Sequence, residues 1–229
     1  MNAEKNRTVL EARHIEKTFS DPVPVKVLND INLKITSGEF VSVIGKSGCG
    51  KSTLLYILST MDTDYSGELY IDSELMGSKN EMQRAGVRNE KIGFIFQFHY
   101  LLNEFTVLKN IILPGLKAGK KSQDELESKA MELLEVMNIG KIASKKAHQI
   151  SGGEKQRVAI ARALINDPLI IMADEPTGNL DIKNSAIVFD IFQELSEKFG
   201  HTLLIVTHDP EFAARTHRII EMEDGKIIS

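Results

Sequence analysis

Gly45-Lys46-Ser47-Gly48-Cys49-Gly50-Lys51-Ser52 is the stretch of this sequence that decides the fold. It matches the pattern G-x-x-x-x-G-K-[ST] of a phosphate-binding loop. The apolar, β-branched residues 40–44 before it predict a buried strand, and residues 51–60 after it predict a helix. Strand, loop and helix in this order predict a P-loop core.

The chemistry of phosphate binding explains the residue types in this loop. Glycines let the backbone wrap closely around phosphate oxygens with its N–H groups pointing inward, and the helix N-terminus adds partial positive charge. Lys51 is predicted to reach the β- and γ-phosphates and Ser52 to bind Mg²⁺. The alternative is a glycine-rich turn with an unrelated lysine. The predicted nucleotide-binding residues here are Gly45, Lys46, Ser47, Gly48, Cys49, Gly50, Lys51, Ser52 and Thr53.

Composition and charge exclude several classes of protein. The formal net charge of the 229 residues is -4 and no dense Lys/Arg run occurs, so we expect no nucleic-acid partner. The single cysteine, Cys49, suits a reducing compartment and is interpreted as a small space-filling residue. Residues 1–9 lack the apolar stretch of a secretory signal, and runs such as 169–173 are too short to span a bilayer. We therefore expect no direct membrane insertion.

Strand-like and helix-like patterns alternate along the chain, which predicts an α/β fold with a parallel sheet. Residues 27–35 alternate, residues 123–137 have the spacing of an amphipathic helix, and Asp224-Gly225 is a hairpin signal. The alternating segment is predicted to place one set of side chains on one face: Val27, Asn29, Ile31, Leu33 and Ile35. Ser66-Gly67 is predicted to be a turn.

These patterns predict a single domain, residues 1–229, with two inserted features. Residues from about 1 to 96 and 165 to 229 form the P-loop catalytic core, which includes an N-terminal β subdomain with a small mixed or antiparallel sheet. Residues from about 97 to 164 form an inserted α-helical subdomain.

Two carboxylates follow a second hydrophobic strand. Residues 169–173 run into Asp174 and Glu175, which places both at the carboxyl edge of the sheet, where open α/β folds bind ligands. Asp174 is predicted to help hold Mg²⁺, and Glu175 to orient and deprotonate the attacking water. The alternative is a pair of solvated turn carboxylates.

Ile150-Ser151-Gly152-Gly153-Glu154-Lys155-Gln156-Arg157 resembles the signature of the ABC ATPase family, Leu-Ser-Gly-Gly-Gln, with Ile150 and Glu154 as departures. On its own, Ser151 with Glu154 also reads as a capping box. Further motifs follow the order of that family. Phe19 resembles the aromatic residue that stacks on adenine, Gln97 the Q-loop glutamine, Gly178-Asn179-Leu180-Asp181 the D-loop, and His208 the switch histidine.

The resemblance implies the ABC ATPase fold, ATP hydrolysis and the cofactors ATP and Mg²⁺. The implied catalytic residues are Lys51, Gln97, Glu175 and His208, and the implied metal-binding residues are Ser52, Gln97 and Asp174. It implies nucleotide contacts from Phe19, Asp181 and, in a second copy, Ser151, Gly152 and Gly153. The second copy forms a head-to-tail homodimer with two ATP molecules sandwiched between the subunits.

Two stretches together resemble the lipoprotein-releasing and macrolide-exporter ATPase group within the family: Phe96-Gln97-Phe98-His99-Tyr100-Leu101-Leu102-Asn103-Glu104-Phe105-Thr106 and Ser151-Gly152-Gly153-Glu154-Lys155-Gln156-Arg157. That resemblance implies a peripheral subunit on the cytoplasmic face of the inner membrane. It also implies an integral-membrane permease that docks near Gln97–Leu102, and lipoprotein release as the favoured activity. The aromatic residues could instead be core of the helical insertion. A non-transport ABC ATPase in cell division or cofactor-cluster assembly, and a P-loop kinase or GTPase, are the alternative functions.

Overall fold

The computed structural model describes residues 7–20 and 22–229, so residues 1–6 of the polar N-terminal segment and Asp21 lie outside this part of the chain. The strands are β1 Thr8–Phe19, β2 Val25–Thr36, β3 Phe40–Gly45, β4 Ser66–Ile71, β5 Glu74–Leu75, β6 Ile92–Ile95, β7 Ile170–Asp174, β8 Leu203–Val206, β9 Arg218–Glu223 and β10 Lys226–Ile227. The helices are α1 Lys51–Leu58, α2 Glu81–Lys91, α3 Val107–Ala118, α4 Gln123–Val136, α5 Gly152–Leu164, α6 Ile182–Glu197 and α7 Pro210–Ala214.

A six-stranded sheet in the order β10-β9-β3-β8-β7-β6 forms the centre of the fold. All its neighbours pair in parallel except β10, which pairs antiparallel with β9 across the Asp224-Gly225 turn. The predicted parallel core and the predicted hairpin are therefore confirmed. The central strands are mostly apolar, with Ser42 as a buried polar residue in β3, because both of their faces are covered.

A second, four-stranded antiparallel sheet has the order β2-β1-β4-β5, which confirms the predicted β subdomain. The predicted alternation in β2 is only partly right. Ile31, Leu33 and Ile35 are buried as expected, but Leu28 is buried in place of Val27. The reason is a register shift near Asp30, whose φ of 56° interrupts the regular pleat.

The predicted turn at Ser66-Gly67 is wrong, because both residues begin strand β4. Gly67 has φ 97°, and a Cβ on it would lie 2.3 Å from the carbonyl oxygen of His14. Glycine is therefore required by the close approach of β1 rather than by a turn.

Helices α3, α4 and α5 occupy the predicted helical stretch, and Leu126, Ala130 and Leu134 form the buried face of α4 as its spacing predicts. Sequence analysis missed α2, which is polar and buries only Val87. Its start is fixed by a capping box in which Asn80 and Gln83 exchange side-chain hydrogen bonds to backbone N–H groups.

The hydrophobic core lies on both faces of the six-stranded sheet. On one face, Ile171 and Ile205 pack with helices α3 to α6. On the other, Met172 and Val206 pack with helix α1 and the four-stranded sheet. Consecutive residues of one strand thus belong to different faces. The α-helical segment shares a hydrophobic core with the strands that carry the phosphate-binding loop.

A substitution at Gly93 tests this packing, because strand β6 lies very close to helix α5 at this residue. A Cβ at this position would lie 2.5 Å from the carbonyl oxygen of Ala163. We expect Gly93→Ala to destabilise the protein by about 1–3 kcal/mol, measured by urea unfolding, because the helix must move away from the strand. Gly86→Ala is the control, because no atom lies within 4 Å of its added Cβ inside α2. It should instead stabilise by about 0.5–1 kcal/mol, and equal destabilisation by both variants would contradict the close approach.

Candidate functional site

Three parallel strands end at one edge of the six-stranded sheet and bring the predicted motifs together. Val43 of β3 pairs with Val206 of β8, which in turn pairs with Asp174 of β7. The residues that follow these strands are the phosphate-binding loop, Glu175, and the Thr207-His208 pair. The edge rule for parallel sheets therefore placed these groups correctly.

A cavity of about 360 Å³ opens at this edge. Four predicted catalytic residues line it together with the loop. The lining residues are Val27, Ser47, Gly48, Gly50, Lys51, Ser52, Thr53, Gln97, Glu175 and His208. Eight of the predicted nucleotide contacts are not part of this lining: Phe19, Gly45, Lys46, Cys49, Ser151, Gly152, Gly153 and Asp181.

The backbone of the loop has the sharp turns that its glycines predict. Gly45 has φ 152°, and a Cβ there would lie 2.2 Å from the carbonyl oxygen of Met222 and 2.8 Å from the Sγ atom of Cys49. Gly50, the N-cap of α1, has φ 101°. Cys49 is buried against this turn, in agreement with a space-filling role.

The Lys51 ammonium points back into the loop. Its Nζ atom donates to the carbonyl oxygens of Gly45 at 2.7 Å and of Lys46 at 3.0 Å. The side chain is buried, so its charge lies at the start of α1, where the N–H groups of the loop also converge. The electrostatic potential at the start of α1 is therefore positive, which favours the binding of a polyanion.

Ser52, which lines the cavity, contacts the buried Asp174 at the end of β7. The hydroxyl of Ser52 donates to Oδ1 of Asp174 at 3.0 Å. Burial of Asp174 raises the pKa of its carboxyl group and the charge of Glu175 adds to this, while hydrogen bonds from Ser52 and Tyr56 act in the opposite direction. Sequence analysis missed Tyr56, although it lies one helical turn after Ser52 on α1, and that spacing could have identified it.

This pair has the chemistry of a magnesium site. Hydroxyl and carboxylate oxygens are ligands that Mg²⁺ prefers, and a cation would offset the cost of burying the Asp174 charge. In the part of the chain that the structure describes, no group of three or more His, Cys, Asp or Glu side chains could hold a metal ion. The Ser52 hydroxyl and the Asp174 carboxylate fit Mg²⁺, an ion that usually takes one or two protein ligands and completes its shell with phosphate and water.

Glu175 and His208 form a direct hydrogen bond. Nδ1 of His208 lies 2.6 Å from Oε2 of Glu175, and the His208 backbone N–H donates to the same oxygen at 3.3 Å. Because a carboxylate can only accept, Nδ1 carries the hydrogen. No described residue donates a hydrogen bond to the other oxygen, Oε1. Glu175 has φ 47°, so the chain turns immediately after β7.

The predicted D-loop lies beside Gln97 and the signature. Asn179 donates from its amide to the backbone carbonyl of Gln97 at 3.2 Å. Asp181 caps helix α6, where its Oδ1 atom accepts from the N–H of Asn184 at 2.8 Å. A Cβ on Gly153 would lie 2.1 Å from Oδ1 of the same Asn184, so α5 and α6 begin in contact.

Ser151 caps helix α5 and stays exposed, as does Gly152. The capping box predicted for Ser151 is present: its N–H and its hydroxyl both donate to Oε2 of Glu154, at 2.8 Å and 2.7 Å. These bonds lower the pKa of Glu154. The capping box and the resemblance to the ABC signature are compatible with each other, since the cap leaves the start of the helix exposed to a partner.

Phe19 ends strand β1 and is 46% exposed. It pairs with Val25 of β2, and Val27, two residues further along that strand, lines the cavity. An exposed aromatic ring thus lies near the cavity on the side of β2.

Several side chains after strand β6 are exposed and aromatic. Phe98 is 60% and Tyr100 is 64% exposed, so the interpretation of both as subdomain core is wrong. Ring contacts connect Tyr56, Phe94, Phe96 and Tyr100 in sequence, with centroids 6.0, 4.4 and 5.1 Å apart. An aromatic chain therefore leads from the Asp174 region to this surface.

Comparison with known proteins identifies relatives over most of the chain. The family model described as "ABC transporter" matches residues 28–178. The lipoprotein-releasing system ATP-binding protein LolD of Porphyromonas gingivalis is 49% identical over 96% of this chain and 99% of its own length. LolD of Aquifex aeolicus is 46% identical over 96% of both chains.

Solved structures agree with this relationship. The dimeric structure of MJ0796, a bacterial ABC transporter cassette, matches with a TM-score of 0.88 and 38% identity over 96% of this chain and 97% of that one. A dimeric post-hydrolysis state of the same cassette, bound to ADP and Pi, matches with the same TM-score of 0.88.

Asp174 yields a prediction about stability. Because its folded-state pKa lies above the ordinary value, the ionised carboxylate destabilises the folded protein at neutral pH, and a neutral isostere should remove that cost. Asp174→Asn keeps an oxygen that can accept from Ser52. We expect its melting temperature in EDTA to rise by a few degrees, whereas its Mg²⁺-dependent ATP turnover should be lost. An unchanged or lower melting temperature would contradict the proposed cost of this buried charge.

Proposed function

The chain belongs to the ABC transporter family, and on that premise we propose that it is the ATP-hydrolysing subunit of a bacterial transporter that releases lipoproteins from a membrane. The observation that carries the proposal is the cavity at the sheet edge, where Lys51, Ser52, Gln97, Glu175 and His208 meet. The near-full-length identity to LolD proteins supports the choice of lipoprotein release within the family.

ATP binds with its phosphates over the loop. Lys51 exchanges its hydrogen bonds to the carbonyl oxygens of Gly45 and Lys46 for phosphate oxygens, and the N–H groups at the start of α1 stabilise the negative charge. Ser52 and Asp174 would hold Mg²⁺, with Gln97 beside them, and the ion would neutralise charge on the phosphates. Phe19 stacks on the adenine base.

Glu175 acts as the general base. Its Oε2 atom is held by His208, which leaves Oε1 able to accept a proton from water as that water attacks the γ-phosphorus. The bond from the γ-phosphorus to the bridging oxygen of ADP breaks as the new bond forms, and phosphate leaves. His208 therefore positions the base, and its exposed ring lies near the γ-phosphate.

A second copy completes the site. Ser151 and Gly152 are exposed at a helix start and do not line the cavity of their own chain. In a head-to-tail dimer these residues close over the γ-phosphate of the partner, and the Ser151 hydroxyl exchanges Glu154 for a phosphate oxygen. Asp181 lies beside them at the start of α6. The dimeric cassette structures support this arrangement.

A permease supplies the route across the membrane. None of the described helices is both long and apolar enough to cross a bilayer. The exposed Phe98, Tyr100 and Leu102 form an apolar surface next to Gln97 that suits a docked helix of a membrane protein. With this surface docked on the permease, the subunit would be peripheral, on the cytoplasmic face of the inner membrane.

Glu175→Gln tests the dimer mechanism. The variant keeps the shape of the side chain but cannot take the proton, so ATP should persist between two subunits. We expect gel filtration with ATP and Mg²⁺ to show a stable dimer for this variant and a monomer with ADP. Glu132→Gln, an exposed change on α4, is the control and should behave like the wild type. A Glu175→Gln protein that remains monomeric with ATP while the wild type hydrolyses normally would rule out the sandwich.

Reconstitution tests the transport function. In proteoliposomes with the permease of the same organism and a lipidated protein, ATP turnover should rise several-fold and the lipoprotein should leave the vesicles. Adding Glu175→Gln subunits in place of the wild type should abolish release. Unchanged turnover with the permease, together with pull-down of only soluble partners, would favour an ABC ATPase that serves cell division or cluster assembly.

A further inference from the structure

Lys17 is a buried lysine that the ATPase mechanism above does not use. It lies on strand β1, two residues before Phe19, and is only 4% exposed. Its Nζ atom donates to Oδ1 of Asp62 at 3.0 Å, to Oδ2 of Asp64 at 3.2 Å, and to the backbone carbonyl of Asp64. Lysine is almost never fully buried unless it is paired, and the two aspartates supply that pairing. What remains to be explained is what the buried ammonium does.

The lysine keeps its charge. Burial, the largest single effect, acts to lower the pKa of Lys17, but the hydrogen bonds and charges of Asp62 and Asp64 together raise it above its ordinary value. Asp62 and Asp64 are both more exposed than the lysine, at 24% and 95% of their side chains. The ammonium is therefore the fixed member of the cluster, beneath the surface.

The ammonium lies over the ring of Phe19. Its Nζ atom is 4.9 Å from the ring centroid, within the range of a cation–π interaction. A register shift between Lys17 and Thr18 interrupts the regular alternation of β1, and the two side chains meet although Lys17 is buried and Phe19 is exposed. Nearly half of the Phe19 surface stays exposed, so the contact with Lys17 restrains the ring without covering it.

The same cluster connects the ring to the phosphate-binding loop. Helix α1 begins at Lys51 and ends at Leu58, and the N–H groups of Met61 and Asp62 then donate to the carbonyl oxygen of Tyr56 on that helix. Asp62 is thus fixed to the far end of the helix whose first turn faces the phosphates. Through Lys17, this end of α1 also holds Phe19.

We propose that Lys17 is a positioning residue for the nucleotide base: it holds the Phe19 ring in place, draws on the ring electrons, and sets the distance between ring and phosphate loop. The inference rests on the proposed stacking of Phe19 on adenine. A ring with a cation beneath it is pre-organised and electron-poor, which favours stacking on an electron-rich purine. Lys17 therefore contributes to the binding of the adenine base and not to the binding of the phosphates.

The experiment compares two ligands that differ in the base. Calorimetric titrations with Mg²⁺ and either ATP or inorganic tripolyphosphate are carried out on the wild type, Lys17→Met, Lys17→Arg, Phe19→Ala and the Lys17→Met/Phe19→Ala double variant. Lys17→Met should weaken ATP about 3- to 10-fold. It should leave tripolyphosphate affinity and the turnover at saturating ATP unchanged. Lys17→Arg should restore most of the ATP affinity.

The double variant distinguishes an effect of Lys17 on the position of the Phe19 ring from a general effect of Lys17 on the stability of the protein. If Lys17 acts through the ring, Lys17→Met should cause no further loss of ATP affinity in the Phe19→Ala background. Losses that add, or an equal loss for tripolyphosphate, would overturn the proposal, and so would Phe19→Ala with wild-type ATP affinity. None of these results touches the proposed ATPase function, which wild-type turnover and the Glu175→Gln dimer test separately.

A milder variant covers the case in which Lys17→Met does not fold. Asp62→Asn keeps the lysine and weakens its anchor at a partly exposed position. It should weaken ATP by about 2- to 3-fold without changing tripolyphosphate binding. An unchanged ATP affinity would overturn the proposed link between α1 and the ring.

Discussion

The turn between β3 and α1 is the constraint on which the rest of the site depends. Its backbone must reverse within a few residues so that N–H groups and the Lys51 ammonium converge on one point. Gly45 makes this possible by passing against the carbonyl of Met222 on β9, where no side chain fits. The neighbouring strands β8 and β7 end in register with β3, so His208 and the carboxylates Asp174 and Glu175 necessarily face the same turn.

That geometry gives each chain only part of a site. We propose that the groups at the cavity serve phosphate, metal and the attacking water, whereas Ser151 and Gly152 are exposed and do not line it. The bonds between Ser151 and Glu154 satisfy the helix start within one chain. On the proposed mechanism, phosphate oxygens of the partner's ATP replace the carboxylate, and this division of donors between two copies couples dimerisation to ATP.

Local motifs and the edge rule for parallel sheets were sufficient to predict the sheet, the loop and the carboxylates. They failed for a polar helix and for features that tertiary contacts decide. Helix α2 was missed because it is polar, and the buried face of β2 changes near Asp30, whose positive φ no pattern indicates. The bond between Glu175 and His208 depends on the pairing of β7 with β8, and a cation beneath Phe19 depends on where the chain runs after α1. The division of the domain near residues 97 and 164 stays a prediction.

Mixing two inactive variants tests most directly whether the site is shared between copies. Lys51→Ala removes the phosphate lysine, and Ser151→Arg blocks the signature, so each variant alone should hydrolyse almost no ATP. In a mixture, half of the dimers pair one variant with the other and regain one intact site of two. The account predicts recovery of about a quarter of the wild-type turnover. A mixture no more active than its separate components would contradict it.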